Sequence, residues 1–309
     1  MTNRLLPAVL AGFFLVSACS AAGPTATPTG TNNGLVWVNQ GARELVPIVV
    51  SSDLAAGPNR FLLTVVDPQN KPIAAANEAA KLDFYDLAGD LSAPAVSADG
   101  TYMSVLANLP GLYRAAVNFP KAGQWGLELT LTDSSGKQQS GRLSFPVRDK
   151  STTPAVGAAA IPSDTPTATT PDGIHGISTD STPDPDFYTT SVKQALADHK
   201  PFLLLFATPA FCRTQTCGPA LDVVKSVAAD YKEKVTFIHV EPYKLAMTNG
   251  QLQPVFTGSD LTPVQSTLDW GLPTEPYAFV VDTTGKVTAK FEGIASPDEL
   301  RAALDQVAK

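Results

Sequence analysis

A run of seven consecutive apolar residues, Pro201-Phe-Leu-Leu-Leu-Phe-Ala207, sets the strongest constraint on this chain. It is too short for a long buried helix and has the length of a strand covered on both faces. Cys212-Arg-Thr-Gln-Thr-Cys217-Gly-Pro219 follows, and then Leu221, Val224, Val227, Ala228 and Tyr231 fall on one face of a helix expected over 219–232. Proline favours the first helical position, which makes Gly218 the N-cap and puts Cys217 one residue before it. Both sulfurs then lie near the helix's partial positive end, which favours a thiolate, and Arg213 adds a fixed charge beside Cys212. Residues five apart across a loop can bring their Cα atoms within the roughly 4.4–6.8 Å that a disulfide needs. Closing so short a loop stabilises a fold by only about 2 kcal/mol, so a bond here is better explained by function than by stapling.

The rest of this half alternates helix and strand. A helix is expected over 188–199, a strand over 235–240, an irregular insertion over 243–261, and a short helix over 263–270. Two strands, 277–282 and 287–291, flank the turn Thr283-Thr-Gly-Lys286. Ser296-Pro-Asp-Glu299 reads as a capping box opening the last helix. The order α-β-α-β-α-β-β-α calls for a right-handed crossover between parallel strands with a hairpin at one edge.

These motifs resemble thioredoxin-like proteins over about 120 residues. The apolar strand, Phe211-Cys212, Cys217-Gly-Pro219 and the helix occur in that family's order, and Leu272-Pro-Thr-Glu-Pro276-Tyr is similar to its cis-proline loop. The resemblance implies a thioredoxin fold for 186–309 and thiol–disulfide exchange at Cys212, Cys217 and Pro276. This chain departs from the pattern in several places. The usual Cys-x-x-Cys is widened to Cys-x-x-x-x-Cys. Phe211 replaces the usual Trp. The buried carboxylate of the strand before the motif has no counterpart in the apolar run. Cys212 matches the family's first Cys by its place after the strand, whereas Cys217 matches it by its Gly-Pro neighbours, which leaves Ala220 where the second would stand. Cys212 is favoured as the attacking thiol, and the reverse assignment stays open.

Residues 34–148 differ in kind. Short alternating runs at 45–50, 60–66, 81–87, 102–107, 113–119, 125–132 and 142–147 are separated by turn residues such as Asp67-Pro-Gln-Asn70 and Asp133-Ser-Ser-Gly136. This spacing argues for an antiparallel β-sandwich. In the late run, Trp125, Leu127, Leu129 and Leu131 share one face, and Tyr113 is a candidate tyrosine corner. The segment from Gly111 to Leu129 resembles the Ig-type modules of FixH/YtkA-like and CopC-like exported proteins. The expected architecture is therefore two domains, an N-terminal all-β Ig-like sandwich and a C-terminal α/β thioredoxin fold. Residues 149–185, rich in Pro and Thr, read as an extended linker between them.

The chain opens with one basic side chain, Arg4, and an apolar stretch over 5–16 that is too short to span a bilayer. Val16-Ser-Ala-Cys19 resembles the lipobox of bacterial lipoproteins, which implies a signal peptide at 1–18, lipidation of Cys19, and a protein held on the extracytoplasmic face of the bacterial cell membrane. Residues 19–33 have no large apolar side chain and read as a flexible tether. Of the three cysteines, two then remain, and export puts them where disulfides persist.

With 22 Lys and Arg against 29 Asp and Glu and no basic run, nucleic acid is not an expected partner. The expected partners are exported proteins or thiols serving as redox substrates, and no cofactor is called for. Two functions fit: a thiol–disulfide oxidoreductase, or a non-catalytic binding module whose Cys212–Cys217 bridge is structural. A third arrangement, similar to Sco-type copper chaperones, would bring His239 to the cysteines, but those proteins space both Cys and His differently. Asp282 and Glu292 read as surface residues of the hairpin.

Overall fold

Alternation of side chains along the strands builds the N-terminal half. The computed structural model describes residues 36–38, 44–104 and 111–309. Cys19 and the segments 1–18 and 19–33 lie outside the described residues, as does the end of the strand expected at 102–107. Seven strands follow one another: β1 (Val46–Val49), β2 (Gly57–Val66), β3 (Ala79–Asp86), β4 (Val96–Met103), β5 (Leu112–Phe119), β6 (Gly123–Thr132) and β7 (Gln138–Val147). Their order in the sheet is β1-β2-β5-β4-β3-β6-β7, every pairing antiparallel. The sheet folds over itself as a sandwich, with the inward residues of β6 (Trp125, Leu127, Leu129 and Leu131) meeting Phe61, Phe84, Phe119 and Phe145 in the core. Tyr113 is fully buried, and its hydroxyl meets both backbone groups of Ala75 at 3.1 Å. That partner lies on another strand's approach rather than a few residues upstream, so the expected tyrosine corner becomes a long-range tie.

In the C-terminal half the apolar run is β8 (Phe202–Phe206), every residue buried. It pairs in parallel with β9 (Thr236–Val240). Two small hairpins occupy the expected irregular insertion: β10 (Leu245–Thr248) with β11 (Gln251–Pro254), and β12 (Phe256–Thr257) with β13 (Asp260–Leu261). Then β14 (Tyr277–Val281) pairs antiparallel with β8, and β15 (Val287–Glu292) closes the edge, giving the order β15-β14-β8-β9. The helices are α1 (Pro171–His175), α2 (Val192–Ala197), α3 (Cys217–Ala228), α4 (Gln265–Asp269) and α5 (Pro297–Val307). Alternate residues of β8 explain its unbroken hydrophobicity. Leu203 and Leu205 pack with Leu221, Val224 and Leu304 of α3 and α5, while Phe202, Leu204 and Phe206 pack with Val192, Trp270 and Phe279 on the other face. The capping box is present: Ser296 Oγ accepts from Glu299 N and Glu299 Oε2 accepts from Ser296 N.

The stretch 149–185 is extended, but it is not a free connection. Ala160, Ser163, Thr165, Ile174 and Ser178 are buried. Ala160 N donates to Gly285 O and Val287 N to Ala158 O, so the segment runs along the hairpin edge. Trp270 Nε1 donates to Ser163 Oγ at 3.0 Å. The small, hydroxyl-bearing side chains that make the sequence resemble a linker let the backbone approach the domain closely and satisfy its buried polar groups.

The two halves also meet directly. Arg60 on β2 donates to Glu299 at 2.7 Å, to Glu292 O at 2.8 Å and to Ile294 O at 2.9 Å. Asp53, with a fully buried side chain, accepts from Ser151, Thr152 and Thr153 and lies 3.4 Å from Lys290 Nζ. Glu292, expected as a hairpin surface residue, instead accepts from Ser52 N at 2.8 Å across this junction, and burial raises its pKa. Among the described residues no helix is long and apolar enough to cross a membrane.

Candidate functional site

The site forms where β8 ends and α3 begins. Cys212 sits in the connecting loop, where Gln215 N donates to Cys212 O at 3.3 Å and Gln215 adopts a left-handed φ of 59°. That turn folds the loop back on itself. The helix starts two residues earlier than Pro219 suggests: Thr216 is its N-cap and Cys217 its first residue. Thr216 makes no side-chain cap bond. The sulfur of Cys212 fills that role, accepting the Cys217 N–H at 3.3 Å, with the Thr214 hydroxyl 3.2 Å away. A sulfur aimed at the open amide of a helix start is the arrangement that stabilises thiolate.

The two thiols are free and unequal. Cys212 is half-exposed, whereas Cys217 is completely buried. The hydrogen bond from the Cys217 thiol, helped by Thr214 and against the opposing effect of burial, pulls the Cys212 pKa down to about 4. The same hydrogen bond and burial push the Cys217 thiol up. One sulfur is thus ready as a nucleophile and the other holds its proton.

Pro276 lies at the start of β14, and the Glu275–Pro276 peptide is cis. The residue before it was not singled out by its sequence. Donor atoms of Cys212, Cys217 and Glu275 all lie within 4.8 Å of one another, the one such group of three among the described residues. Tyr243, from the loop after β9, donates its hydroxyl to Glu275 Oε2 at 2.5 Å. Burial raises the Glu275 pKa, and the Cys212 charge adds to the rise against the Tyr243 bond. The positive charge of Arg213, expected to serve Cys212, acts on Glu275 and Tyr243. Adjacency to Pro276 was the available signal for Glu275; Tyr243 carried none, since it falls in the insertion.

His239 does not join this group. It is a buried residue of β9, with Nδ1 2.8 Å from Tyr188 Oη and Nε2 3.0 Å from Ala207 O, and burial lowers its pKa. Both ring nitrogens are engaged, so a Cys–His metal site of the Sco kind does not form. A cavity of about 430 Å³ lies between the sandwich and β15, lined by Leu54, Pro58, Ala116 and Phe291 among others. Another of about 360 Å³ borders His239, Glu241 and Tyr243, and neither is lined by a cysteine.

A parallel β8–β9 pair, a β14–β15 hairpin and a cysteine at the start of α3 define a thioredoxin-type α/β arrangement. Residues 188–308 match the family model described as thioredoxin-like domain, so this part of the chain is a thioredoxin-like domain. No curated protein matches the chain. Solved structures similar to it include CopC from Methylosinus trichosporium OB3b, at 18% identity over 33% of this chain and 94% of that one, with a TM-score of 0.19. The soluble domain of PmoD from Methylocystis sp. ATCC 49242 (Rockwell) is 16% identical over 35% of this chain and 93% of its own, with a TM-score of 0.19. A DUF4426 family protein from Pseudomonas aeruginosa PAO1 is 11% identical over 34% and 90%, with a TM-score of 0.23.

Proposed function

We propose that this protein is a thiol–disulfide oxidoreductase of the extracytoplasmic membrane face, tethered through a lipidated Cys19 and working through Cys212 and Cys217. The inequality of the two thiols carries the reading: a half-exposed Cys212 with a lowered pKa beside a fully buried Cys217 with a raised one. In the cycle, Cys212 thiolate attacks a substrate disulfide. A Cys212–substrate S–S bond forms, the substrate bond breaks, and the departing thiolate takes a proton. Cys217 then loses its proton and attacks Cys212 Sγ, which closes the Cys212–Cys217 disulfide and releases the second substrate thiol. The substrate gains two electrons and the protein dithiol loses them; a dithiol reductant of the cell surface resets the pair. The loop at Pro276 supplies backbone against which the substrate chain lies.

Trapping tests the cycle. A Cys217→Ala variant accumulates mixed disulfides through Cys212, and the reduction potential of the wild-type pair lies above roughly −300 mV, the level below which structural disulfides of exported proteins fall. If neither single-cysteine variant traps a partner and the folded protein's bridge resists strong thiol reductants, the domain is a binding module with a structural disulfide. The anchor is tested separately: Cys19→Ala releases the protein from the membrane or blocks its processing, and a variant that stays bound and normally processed removes the anchor from the proposal.

A further inference from the structure

Two sulfurs and a carboxylate that converge from three separate elements make more than a dithiol. Cys212 comes from the loop, Cys217 from the first turn of α3, and Glu275 from the segment before β14. If all three separations were at their 4.8 Å limit, an ion at the centre would be about 2.8 Å (4.8 Å divided by √3) from each donor. Zinc–sulfur bonds are about 2.3 Å and zinc–carboxylate bonds about 2.0–2.2 Å, so even at that limit inward shifts of about 0.5–0.8 Å per donor, within reach of side-chain rotation, close the site. Tyr243 fixes the carboxylate through Oε2, and a carboxylate has a second oxygen, Oε1, for a metal. A hydrogen-bonded outer partner of this kind is what orients carboxylate ligands in metal sites.

We infer that the reduced protein binds one thiophilic divalent cation of the zinc class through Cys212, Cys217 and Glu275, with the fourth position open. The donor set selects the ion. Two thiolates reject magnesium and calcium, which take oxygen ligands. Cuprous ion is satisfied by thiolates alone and has no need of Glu275. Three ligands bring three negative charges; a divalent cation cancels two, and the Arg213 charge that acts on Glu275 offsets the third. The same sulfurs cannot hold the ion once they are joined, so metal and disulfide exclude each other. Three protein ligands and an open position are the pattern of zinc sites that bind a further molecule. The inference does not rest on thiol–disulfide exchange, because it needs only the reduced pair.

Cobalt titration of the reduced, metal-free full chain tests it. The result expected is a thiolate-to-cobalt charge-transfer absorption with tetrahedral d–d bands, saturating at one ion per chain and abolished by stoichiometric zinc. The oxidised protein shows no such spectrum, and neither do Cys212→Ser and Cys217→Ser. Glu275→Gln, nearly isosteric, weakens cobalt and zinc at least tenfold, and Tyr243→Phe weakens them about 10–100-fold, as loss of an outer-shell partner does. Wild-type protein that gives no charge-transfer band overturns the inference without recourse to any variant. So does a Glu275→Gln protein that binds both ions as tightly as wild type. Failure of mixed-disulfide trapping with an intact cobalt spectrum would remove the exchange reading and leave the metal site standing.

Discussion

The chemistry at Cys212 turns on single contacts. Its sulfur takes the place of the cap that Thr216 does not supply, and the N–H of Cys217 and the hydroxyl of Thr214 both face it. A thiol whose pKa is lowered to about 4 is already thiolate at neutral pH, and its alkylation rate changes little until the pH approaches that value. Cys217, raised and buried, stays protonated and shielded. Iodoacetamide labelling of the reduced protein, followed by peptide mass spectrometry, therefore modifies Cys212 first. The Cys212 rate stays nearly flat from about pH 8 to about pH 6, whereas an ordinary thiol with a pKa of about 8.5 would slow about 75-fold over that range. A steep fall, or equal labelling of both cysteines, would show that the contacts do not favour the Cys212 thiolate. The two cysteines were legible from the sequence because an apolar strand and a helix signal bracket them. Glu275 and Tyr243 were not, because their approach to the sulfurs depends on how the cis-proline loop and the insertion pack, and neither has a local periodicity.

At the scale of elements, strands and long helices followed their patterns and boundaries did not. The run at β8 is continuously apolar because helices cover both faces, and β6 alternates because one face meets the sandwich core. The start of α3 moved because Cys212 Sγ satisfies the N–H of Cys217, which lets the helix begin before Pro219. The stretch 149–185 is the largest difference. Composition marks it as a linker, but Ser163 and Thr165 serve as buried partners for Trp270 and for the amide of Val192. Such pairings depend on residues far along the chain, which no local reading of Pro and Thr content reveals. A broad-specificity protease should therefore leave 149–185 uncut in the native protein and cleave there only as denaturant unfolds it. Ready native cleavage into two folded fragments would show the segment to be a free connection. Ser163→Ala leaves the Trp270 indole N–H without its partner and lowers stability by about 1–3 kcal/mol in urea unfolding.

For the whole molecule, Arg60 joins the two halves. It projects from β2 of the sandwich and reaches Glu299 and the carbonyls of Glu292 and Ile294 in the thioredoxin-like domain. Burial alone would raise the Glu299 pKa, but the hydrogen bonds and charge of Arg60, helped by Arg114, hold it below its usual value. The sign of the linkage follows. A carboxylate whose folded pKa is depressed adds stability that is fully present above its unfolded pKa, and loses it as the pH falls through the folded value. Asp53 works in the same sense. Burial would raise it, but Ser151, Thr152, Thr153 and Lys290 hold it low. Glu292 opposes both, because burial has raised it and the folded state takes up a proton there as pH falls. Stability should therefore drop as pH falls below about 4.5, with Glu292 blunting the slope. Arg60→Met keeps much of the side chain's length and apolar contact but leaves Glu299, only 9% exposed, with Arg114 as its remaining cation. The expected cost is about 3 kcal/mol at neutral pH, within the range for breaking a buried pair, and the acid-dependent part of the stability shrinks because Glu299 loses the contacts that hold its pKa below the usual value. Urea midpoints measured from about pH 7 to about pH 3 check both effects. If Arg60→Met unfolds at the wild-type midpoint and with the wild-type pH profile, the ion pair does not hold the sandwich to the thioredoxin-like domain, and the Asp53–Lys290 network with the packed 149–185 segment must do so.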